Sequence, residues 1–323
     1  MKTRTILVTA RTPHRPHGVV LAALALAALL LASCAPSGGN PSGSRPVIQL
    51  ATPTASGTPG ASPSASATGT GTARASATPT SSASGTGGAG PYAFPLLPPG
   101  AALPSEQACA DLIARSSWEP RPQNAAANAR VPSASQLAGV HPWDGSIGVD
   151  PRADGFRQRI TGSFTGTTDE ILQWTACVWG VPVDVVRAEA VVESWWQQSQ
   201  LGDWTSNQQY CPPGTWNGSG CYQSYGILQL KWYYFQGTFP MSRDDTAYAA
   251  ETVYGIIRTC YEGWTTYLAD RSPPPGYPAY HAGDLWGCIG RWYSGGWYDQ
   301  GALDYIAKVK SALANKTWQS GGF

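Results

Sequence analysis

The distribution of apolar and polar positions divides the chain into four segments. Residues 1–34 have a basic start and an apolar run, and residues 35–104 consist almost entirely of Ser, Thr, Ala, Gly and Pro. Residues 105–166 begin with a short helical pattern and continue as an irregular stretch rich in Pro, Gly and Asn. Residues 167–323 have apolar positions at helical spacing. We therefore predict a mostly α-helical domain preceded by a disordered linker.

Residues that favour helix ends mark the limits of the predicted helices. Thr167 and Glu170 form a capping-box pattern, and Gly180 is suited to end the helix that they begin. Pro182 favours the first turn of the next helix, and Ser242 is the expected N-cap of a later one. The predicted helices span 105–115, 168–179, 182–194, 244–262, 284–293 and 302–313, with a further helix or turn beginning over 224–232. The sequence has no internal repeat, which leaves the mostly α prediction unchanged.

The amino-terminal segment is typical of an exported protein. Four basic residues precede an apolar run over 19–31, which is too short to span a bilayer comfortably. The run ends in Leu-Ala-Ser-Cys34, which resembles the bacterial lipoprotein lipobox and implies that Cys34 is lipidated; the alternative is an ordinary signal peptide cleaved nearby. We expect an extracytoplasmic protein anchored to the membrane through Cys34. Residues 35–104 would then be a tether that lifts the domain into the cell wall, or a spacer of no required length.

Charge and motif content exclude several function classes. From residue 105 onward the chain has 15 basic and 20 acidic residues, a net charge of −5, whereas nucleic-acid binding needs a basic face. The sequence has no phosphate-binding glycine loop, no nucleophile elbow and no Cys-x-x-Cys pair. Two of the four histidines lie in the first twenty residues, so a histidine-built metal site is not expected, and neither is a cofactor.

The six cysteines after residue 105 predict three disulfide bonds. An even number of cysteines in a chain with an export signal is typical of a disulfide framework, although several connectivities remain open. The pairs that we expect are Cys211–Cys221, Cys260–Cys288 and Cys109–Cys177. The first of them closes a short loop rich in Pro, Gly and Asn.

All 14 tryptophans lie from Trp118 onward. Aromatic rings bury large apolar areas, and their faces also stack on the apolar edges of sugar rings. We expect most of these rings to lie in the core of a disulfide-bonded domain. A subset that lines a saccharide groove is the alternative, and composition does not choose between the two.

Glu193 is the first candidate for chemistry. It lies at the C-terminal end of the predicted helix 182–194, between two valines and the pair Trp195-Trp196. Apolar surroundings disfavour the charged carboxylate, which raises its pKa and suits it to act as a general acid near neutral pH. Cleavage of a glycosidic bond needs such an acid. A glutamate at a helix end is also, more ordinarily, a solvated surface residue.

Three short segments favour the role of Glu193 as a general acid over that of a surface residue. They are the helix 182–194 that ends in Glu193-Ser194, the segment Ser-Tyr-Gly-Ile-Leu-Gln-Leu over 224–230, and Tyr-Ser-Gly-Gly over 293–296. In this order they resemble the soluble lytic transglycosylase and goose-type lysozyme superfamily. In that family a helix ends in Glu-Ser, a Ser-x-Gly-(Leu/Ile)-(Met/Leu)-Gln-(Ile/Leu) turn follows, and Tyr-Asn-Ala-Gly comes near the end. The resemblance covers about residues 167–310 and implies a lysozyme-like helical domain.

The resemblance also implies roles for individual residues. Glu193 matches the catalytic acid/base of the family, and Tyr293 matches the tyrosine that contacts the catalytic carboxyl. Gly226 and Gln229 match the turn that lines the glycan groove. The residues expected to bind substrate are Ser224, Tyr225, Gly226, Gln229 and Trp195.

Two positions depart from the family pattern. Ser294 stands where the family has asparagine, so the contact of that asparagine is not expected here. Glu189 occupies a position that the family usually fills with an apolar residue, four residues before Glu193 on the same helix face. We expect Glu189 to pair with Arg187 or Arg291. The alternative is burial beside Glu193, where like-charge repulsion would raise the pKa of Glu193.

The activity implied by the resemblance is that of a peptidoglycan lytic transglycosylase. Such an enzyme cleaves between N-acetylmuramic acid and N-acetylglucosamine and leaves a 1,6-anhydro end, for which the single carboxyl of Glu193 is enough. A lysozyme-type hydrolase is the second hypothesis, with Asp203, Asp245 or Asp299 as its second carboxylate. A catalytically silent glycan-binding lipoprotein is the third. The expected partners are peptidoglycan and the membrane, and we expect a monomer.

Overall fold

Helices form most of the regular structure in residues 94–323, which are the residues that the computed structural model describes. The mostly α prediction is confirmed. The predicted leader with Cys34, and the predicted linker up to residue 93, lie outside the described residues. The helices are α1 (Glu106–Leu112), α2 (Ala125–Asn128), α3 (Ala134–Ala138), α4 (Asp154–Arg159), α5 (Thr168–Trp179), α6 (Val183–Ser194), α7 (Met241–Asp244), α8 (Thr246–Tyr261), α9 (Leu285–Ser294) and α10 (Gln300–Ala314). Within this part of the chain, no helix has both the length and the apolar character needed to cross a membrane.

The predicted ends of α5 are confirmed. The Thr167 side chain accepts a hydrogen bond from the backbone N–H of Glu170, and the Glu170 carboxylate accepts one from the N–H of Thr167. Gly180 ends the helix in the left-handed conformation, with φ of 60°. Helices α6, α9 and α10 overlap the predicted spans 182–194, 284–293 and 302–313.

Two other helix boundaries were predicted wrongly. The first helix ends at Leu112, three residues before the predicted end. The N-cap of α8 is Asp245 and not Ser242, which lies inside the short helix α7. The Asp245 side chain accepts from the backbone N–H of Tyr248 at 2.7 Å, and an aspartate oxygen at this position is a strong N-cap.

A small antiparallel sheet follows α6. Its strands are β1 (Leu201–Gly202), β2 (Ser224–Tyr225) and β3 (Leu230–Lys231), in the order β1-β2-β3. The segment 224–232 is therefore a hairpin around a turn and does not begin a helix. Gly226 and Gln229 have φ of 83° and 54°, and a backbone with positive φ cannot continue a right-handed helix.

Helix α6 lies at the centre of the fold, where it packs against α5 and α10. Every residue of α8 is buried, and α8 packs against α5 and α9. Residues 105–166 contribute Ile113, Trp143 and Phe164 to the same hydrophobic core, so they belong to one body with the helices that follow.

The three predicted disulfide bonds are confirmed. Cys109–Cys177 joins α1 to α5, and Cys260–Cys288 joins α8 to α9. Cys211–Cys221 closes the loop between β1 and β2. In each disulfide bond the two Cα atoms lie 5.7 Å apart.

The folded body begins before residue 105, where the sequence placed its start. The backbone N–H of Leu97 donates to the carbonyl of Gly180 at 2.9 Å. The fully buried Arg258 guanidinium donates to the carbonyls of Leu97 and Pro98, each at 2.8 Å. Residues 94–104 are therefore part of the fold, and the predicted linker extends eleven residues too far along the chain.

Candidate active site

Glu193 lies in the last turn of α6 with only 7% of its surface exposed. The helix ends at Ser194 because Trp195 and Trp196 take the left-handed backbone conformation, with φ of 57° and 61°. This conformation is strained for bulky side chains, and such strain concentrates at functional sites. The turn is held by Trp196, which is fully buried and donates from Nε1 to the carbonyl of Arg187 at 2.9 Å.

Behind Glu193 lies a buried group of two carboxyls and two phenols, which we call the glutamate–tyrosine cluster: Glu189, Glu193, Tyr254 and Tyr305. The Tyr305 hydroxyl oxygen lies 2.6 Å from Glu193 Oε1 and 3.2 Å from Glu189 Oε1. The Tyr254 hydroxyl donates to Glu189 Oε2 at 2.6 Å. Since Tyr254 belongs to α8 and Tyr305 to α10, three helices meet at these four side chains.

Burial dominates the electrostatics of the cluster. Glu189 is fully buried, and burial is the largest cause that raises its pKa to about 8. The hydrogen bond from Tyr254 lowers this pKa, and the charge of Glu193 raises it. Burial also raises the pKa values of Tyr254 and Tyr305 well above the ordinary value. Both phenols therefore hold their protons at neutral pH, and burial favours the protonated form of Glu189.

The prediction that Glu189 pairs with Arg187 or Arg291 is wrong. Arg187 pairs with Asp169 at 2.7 Å and with Asp184 at 2.9 Å. Arg291 donates to the Tyr267 hydroxyl at 2.8 Å. The Glu189 side chain lies in the interior, between α6, α8 and α10. Glu189 is therefore buried beside Glu193, which was the alternative prediction.

The hairpin turn is tied to the end of α6. The Ser194 hydroxyl donates to the carbonyl of Ile227 at 2.7 Å, and both groups are buried. The Gln198 side chain accepts from the N–H of Ile227 at 2.9 Å and donates to the carbonyl of Ser242 at 2.9 Å. Because Ser194 directly follows Glu193, these bonds hold the turn 226–229 beside the catalytic candidate.

Gly226 and Gln229 build the turn itself. A Cβ atom at Gly226 would lie 2.4 Å from the carbonyl oxygen of Ser242, so only glycine fits. The Gln229 amide Nε2 donates to the carbonyls of Gly226 at 2.9 Å and Gln200 at 3.1 Å. The amide nitrogen that was expected to bind a sugar is therefore engaged in holding the turn.

Ser224 and Tyr225 are buried in the hairpin, each with 3% of its surface exposed. The Ser224 hydroxyl donates to Asp203 Oδ2 at 2.5 Å, and the Tyr225 hydroxyl donates to the carbonyl of Tyr222 at 2.6 Å. Both predicted substrate-binding hydroxyls are thus used inside the protein. They shape the wall of the turn.

Tyr293 and Trp195 flank the cluster on other sides. Tyr293 is 47% exposed, and its ring stacks on that of Tyr305 at 4.8 Å between centroids and 5° between planes. The short phenol contact of Glu193 therefore comes from Tyr305, with Tyr293 covering it. Trp195 is half-buried, and its ring packs against Phe323 at 5.0 Å.

Sequence reasoning missed Tyr254 and Tyr305. In the sequence both are ordinary core rings: Tyr305 shares the apolar face of α10 with Ala302, Ile306 and Val309. The signal that points to them is Glu189, because a carboxyl on an apolar helix face needs a buried hydrogen-bond donor. Which helix supplies that donor follows only from the tertiary packing.

The three candidate second carboxylates differ in their surroundings. Asp245 and Asp299 are the N-caps of α8 and α10. The side chain of Asp203 is 51% exposed beside the hairpin, where it accepts from Ser224 and pairs with Lys231 at 3.3 Å. Of the three, Asp203 alone is both solvent-accessible and bonded to the segment 224–230.

Exposed aromatic rings gather on the hairpin and its disulfide-closed loop. Trp204 is 50% exposed and packs edge-on against Tyr222 at 5.0 Å. Tyr233 and Tyr234 are 37% and 56% exposed, with their ring centroids 5.3 Å apart. Large aromatic rings that are exposed at the surface of a domain are suited to stack on a ligand.

Residues 94–323 contain no group of three or more His, Cys, Asp or Glu side chains arranged to hold a metal ion. Comparisons of the chain with protein-family models, with curated proteins and with solved structures find no match. The chemistry of the site itself therefore carries the functional assignment.

Proposed function

We propose that this protein is a peptidoglycan lytic transglycosylase with a lysozyme-like helical domain. One observation carries the proposal: the Glu193 carboxyl is almost fully buried at a helix end, contacts the Tyr305 hydroxyl at 2.6 Å and lies beside a turn that is bonded to the next residue. A carboxyl that is largely shielded from water and keeps 7% of its surface exposed is suited to protonate a leaving group.

The arrangement of the three sequence segments supports the same proposal. Ser194 binds the turn of the segment 224–230, and Tyr293 stacks on the tyrosine that contacts Glu193. Segments that are up to about one hundred residues apart in the chain thus meet around one carboxyl. That convergence is what a shared active site requires.

In the proposed reaction Glu193 acts first as an acid and then as a base. Its carboxyl proton passes to the glycosidic oxygen between N-acetylmuramic acid and N-acetylglucosamine, and the bond to the muramic C1 breaks with oxocarbenium character. The Glu193 carboxylate then takes the proton of the muramic 6-hydroxyl while O6 bonds to C1. A 1,6-anhydro end forms, no water is consumed and Glu193 regains its proton.

Hydrolysis of the same bond is the second candidate, and Asp203 favours it. This carboxylate is solvent-accessible and bonded to the hairpin, so it is the candidate for activating a water molecule. Its ion pair with Lys231 at 3.3 Å and its hydrogen bond from Ser224 fix its position beside the hairpin.

We also propose that the chain acts outside the cytoplasm, anchored by a lipid on Cys34. The basic and apolar leader and the three disulfide bonds support export. Metabolic labelling with a fatty acid tests the anchor, since a Cys34→Ala variant should lose the label and leave the membrane fraction.

The activity is tested by digestion of purified peptidoglycan with the full chain, followed by mass spectrometry of the released ends. Anhydro-muramic ends are expected from the parent, with a loss of about 10²- to 10⁴-fold in the Glu193→Gln variant, which keeps the shape but not the transferable proton. The matched control is Glu251→Gln, which makes the same change at another buried glutamate and should keep the parent activity.

Other outcomes replace the proposal. Reducing ends from the parent would assign hydrolysis, and Asp203→Asn should then abolish release. Intact glycan that binds to the parent and to Glu193→Gln equally, with no ends released, would assign a tethered glycan-binding protein.

A further inference from the structure

The proposed reaction uses one carboxyl, yet the structure buries two. Glu189 lies one helical turn before Glu193 on the same face of α6 and is fully buried. A second carboxyl in an apolar interior is costly, so its partners are informative. Those partners are the two phenols of the glutamate–tyrosine cluster.

The number of protons in the cluster restricts its hydrogen bonds. Its three oxygen–oxygen contacts measure 2.6, 2.6 and 3.2 Å. Tyr254 and Tyr305 supply one hydroxyl proton each, and a contact between oxygens needs one proton between them. The third contact is satisfied only when one of the two carboxyls is protonated.

Two arrangements of that proton fit the same heavy-atom positions. In the first, Glu189 Oε1–H donates to the Tyr305 oxygen, and the Tyr305 hydroxyl donates to Glu193 Oε1. In the second, Glu193 Oε1–H donates to the Tyr305 oxygen, and the Tyr305 hydroxyl donates to Glu189 Oε1. They interconvert when both protons move along the chain, so the cluster keeps one acidic proton and one negative charge throughout.

We propose that Glu189 and Glu193 share this proton through the Tyr305 hydroxyl, which makes Glu189 a positioning residue that supplies Glu193 with its acid proton. The inference rests on the proposed function only where it concerns catalysis. The shared proton itself is a property of the folded protein.

The surroundings of Glu189 support a shared proton and not an ion pair. The titratable groups that act on it are Glu193 on α6, Tyr254 on α8 and Tyr305 on α10. Within residues 94–323 no lysine or arginine makes an ion pair with Glu189, since Arg187 turns to Asp169 and Asp184. Two carboxyls that contact the same phenol oxygen repel each other when both are ionised, so they titrate as a coupled pair.

The Glu189→Gln variant separates proton sharing from simple packing. Its carbonyl still accepts from Tyr254, and its amide N–H donates permanently to the Tyr305 oxygen. The Tyr305 hydroxyl is then fixed as a donor to Glu193, which stabilises the ionised carboxylate. We expect the alkaline limb of the pH–activity profile to move to lower pH by about one unit or more, with the acid-side maximum within about threefold of the parent. A purely structural role would leave the profile in place.

Carbon-13 NMR of the side-chain carboxyls of the full chain gives a readout that does not depend on activity. The parent should show two coupled carboxyl titrations, one of which extends beyond neutral pH; the signals are assigned by their loss in Glu189→Gln and Glu193→Gln. In Glu189→Gln the remaining Glu193 signal should titrate at lower pH. In Tyr305→Phe, which keeps the ring but removes the bridging oxygen, the two signals should no longer shift together. Glu251→Gln is the matched control and should leave both unchanged.

The outcomes separate the two proposals. Coupled titrations in a protein that releases no glycan ends would leave the shared proton standing and overturn the transglycosylase. Glycan release with a Glu193 titration that is the same in parent and Glu189→Gln would overturn the shared proton and leave the enzyme. If Glu189→Gln does not fold, independent carboxyl titrations in the parent itself overturn the sharing, and coupled ones that separate in Tyr305→Phe support it.

Discussion

Two fully buried glutamates, Glu189 and Glu251, have the same burial and the same direction of pKa shift. Both have no exposed surface, and burial is the first cause that raises the pKa of each. Each also has a second glutamate near it that raises the pKa further: Glu193 beside Glu189, and Glu106 beside Glu251.

They differ in the groups that bind them. Glu251 Oε2 accepts from the backbone N–H groups of Thr161 and Gly162, at 3.0 and 2.8 Å. A backbone N–H can only donate, so Glu251 acts as a clamp on that loop. Glu189 is bound by phenols, which both donate and accept, and through Tyr305 it reaches Glu193. Glu251 also has a side-chain hydrogen bond with Glu106. The same residue type therefore clamps a loop in one place and is connected through a phenol to the catalytic candidate in the other.

The largest expected effect comes from removal of the clamp. In Glu251→Ala one buried and one part-buried N–H group lose their acceptor, and each unsatisfied group costs about 1–3 kcal/mol. We expect the free energy of unfolding to fall by about 4 kcal/mol in urea denaturation. Glu251→Gln, which keeps an oxygen acceptor, should stay close to the parent. A pH–activity profile that shifts in either variant would contradict the division between the two glutamates.

Glu189 should show its effect as a dependence of stability on pH. Its pKa in the folded protein is about 8 against an ordinary 4.5, so between these values the folded state binds the proton more tightly than the unfolded state. The parent therefore loses stability as the pH rises through this window, by up to about 1.4 kcal/mol per unit. Glu189→Gln has no such proton.

The measurement is the difference in unfolding free energy between Glu189→Gln and the parent. It should be small at pH 4 and should grow to about 3 kcal/mol in favour of the variant by pH 7. A difference that stays constant across this range would mean that Glu189 is ionised in the folded protein.

The contrast between these glutamates also explains what the sequence could predict. The capping box at Thr167, the glycine stop at Gly180 and the short loop closed by Cys211–Cys221 depend on local patterns, and all were predicted. The other two disulfide pairs were the expected ones among several open connectivities. The partners of Glu189 lie 65 and 116 residues away, in helices whose faces look like ordinary core. No local pattern encodes which phenol meets which carboxyl.

The hairpin illustrates a second limit, because the sequence left open whether this segment is a helix or a turn. Its segment 224–232 has the apolar content of a helix, but Gly226 and Gln229 turn the backbone through positive φ. The bonds that hold this turn come from Ser194 and Gln198, about thirty residues earlier. Tertiary contacts thus override local preference at the place where the candidate site is formed.

Tyr254→Phe should weaken the cluster without breaking the bridge. It removes the donor to Glu189 Oε2, which costs about 2 kcal/mol because the oxygen is buried. It also raises the pKa of Glu189 further, since that bond lowers it. The pH–activity profile should shift in the same direction as in Glu189→Gln but by less. A shift as large as that of Glu189→Gln would mean that both phenols carry the shared proton.

Ser194→Ala should give the smallest change in stability. It should also separate the effect of the position of the turn 226–229 from the effect of the protonation of Glu193. The variant loses one buried hydroxyl bond to the carbonyl of Ile227, which costs about 1 kcal/mol. Because this bond holds the turn 226–229 beside Glu193, we expect kcat/KM for glycan cleavage to fall by about tenfold through misplacement of the substrate. The pH–activity profile should keep its midpoints, since Ser194 does not contact the glutamate–tyrosine cluster through this bond. If the midpoints of the profile move instead, the position of the turn 226–229 also controls the protonation of Glu193. The effects of substrate positioning and of proton sharing could then not be separated.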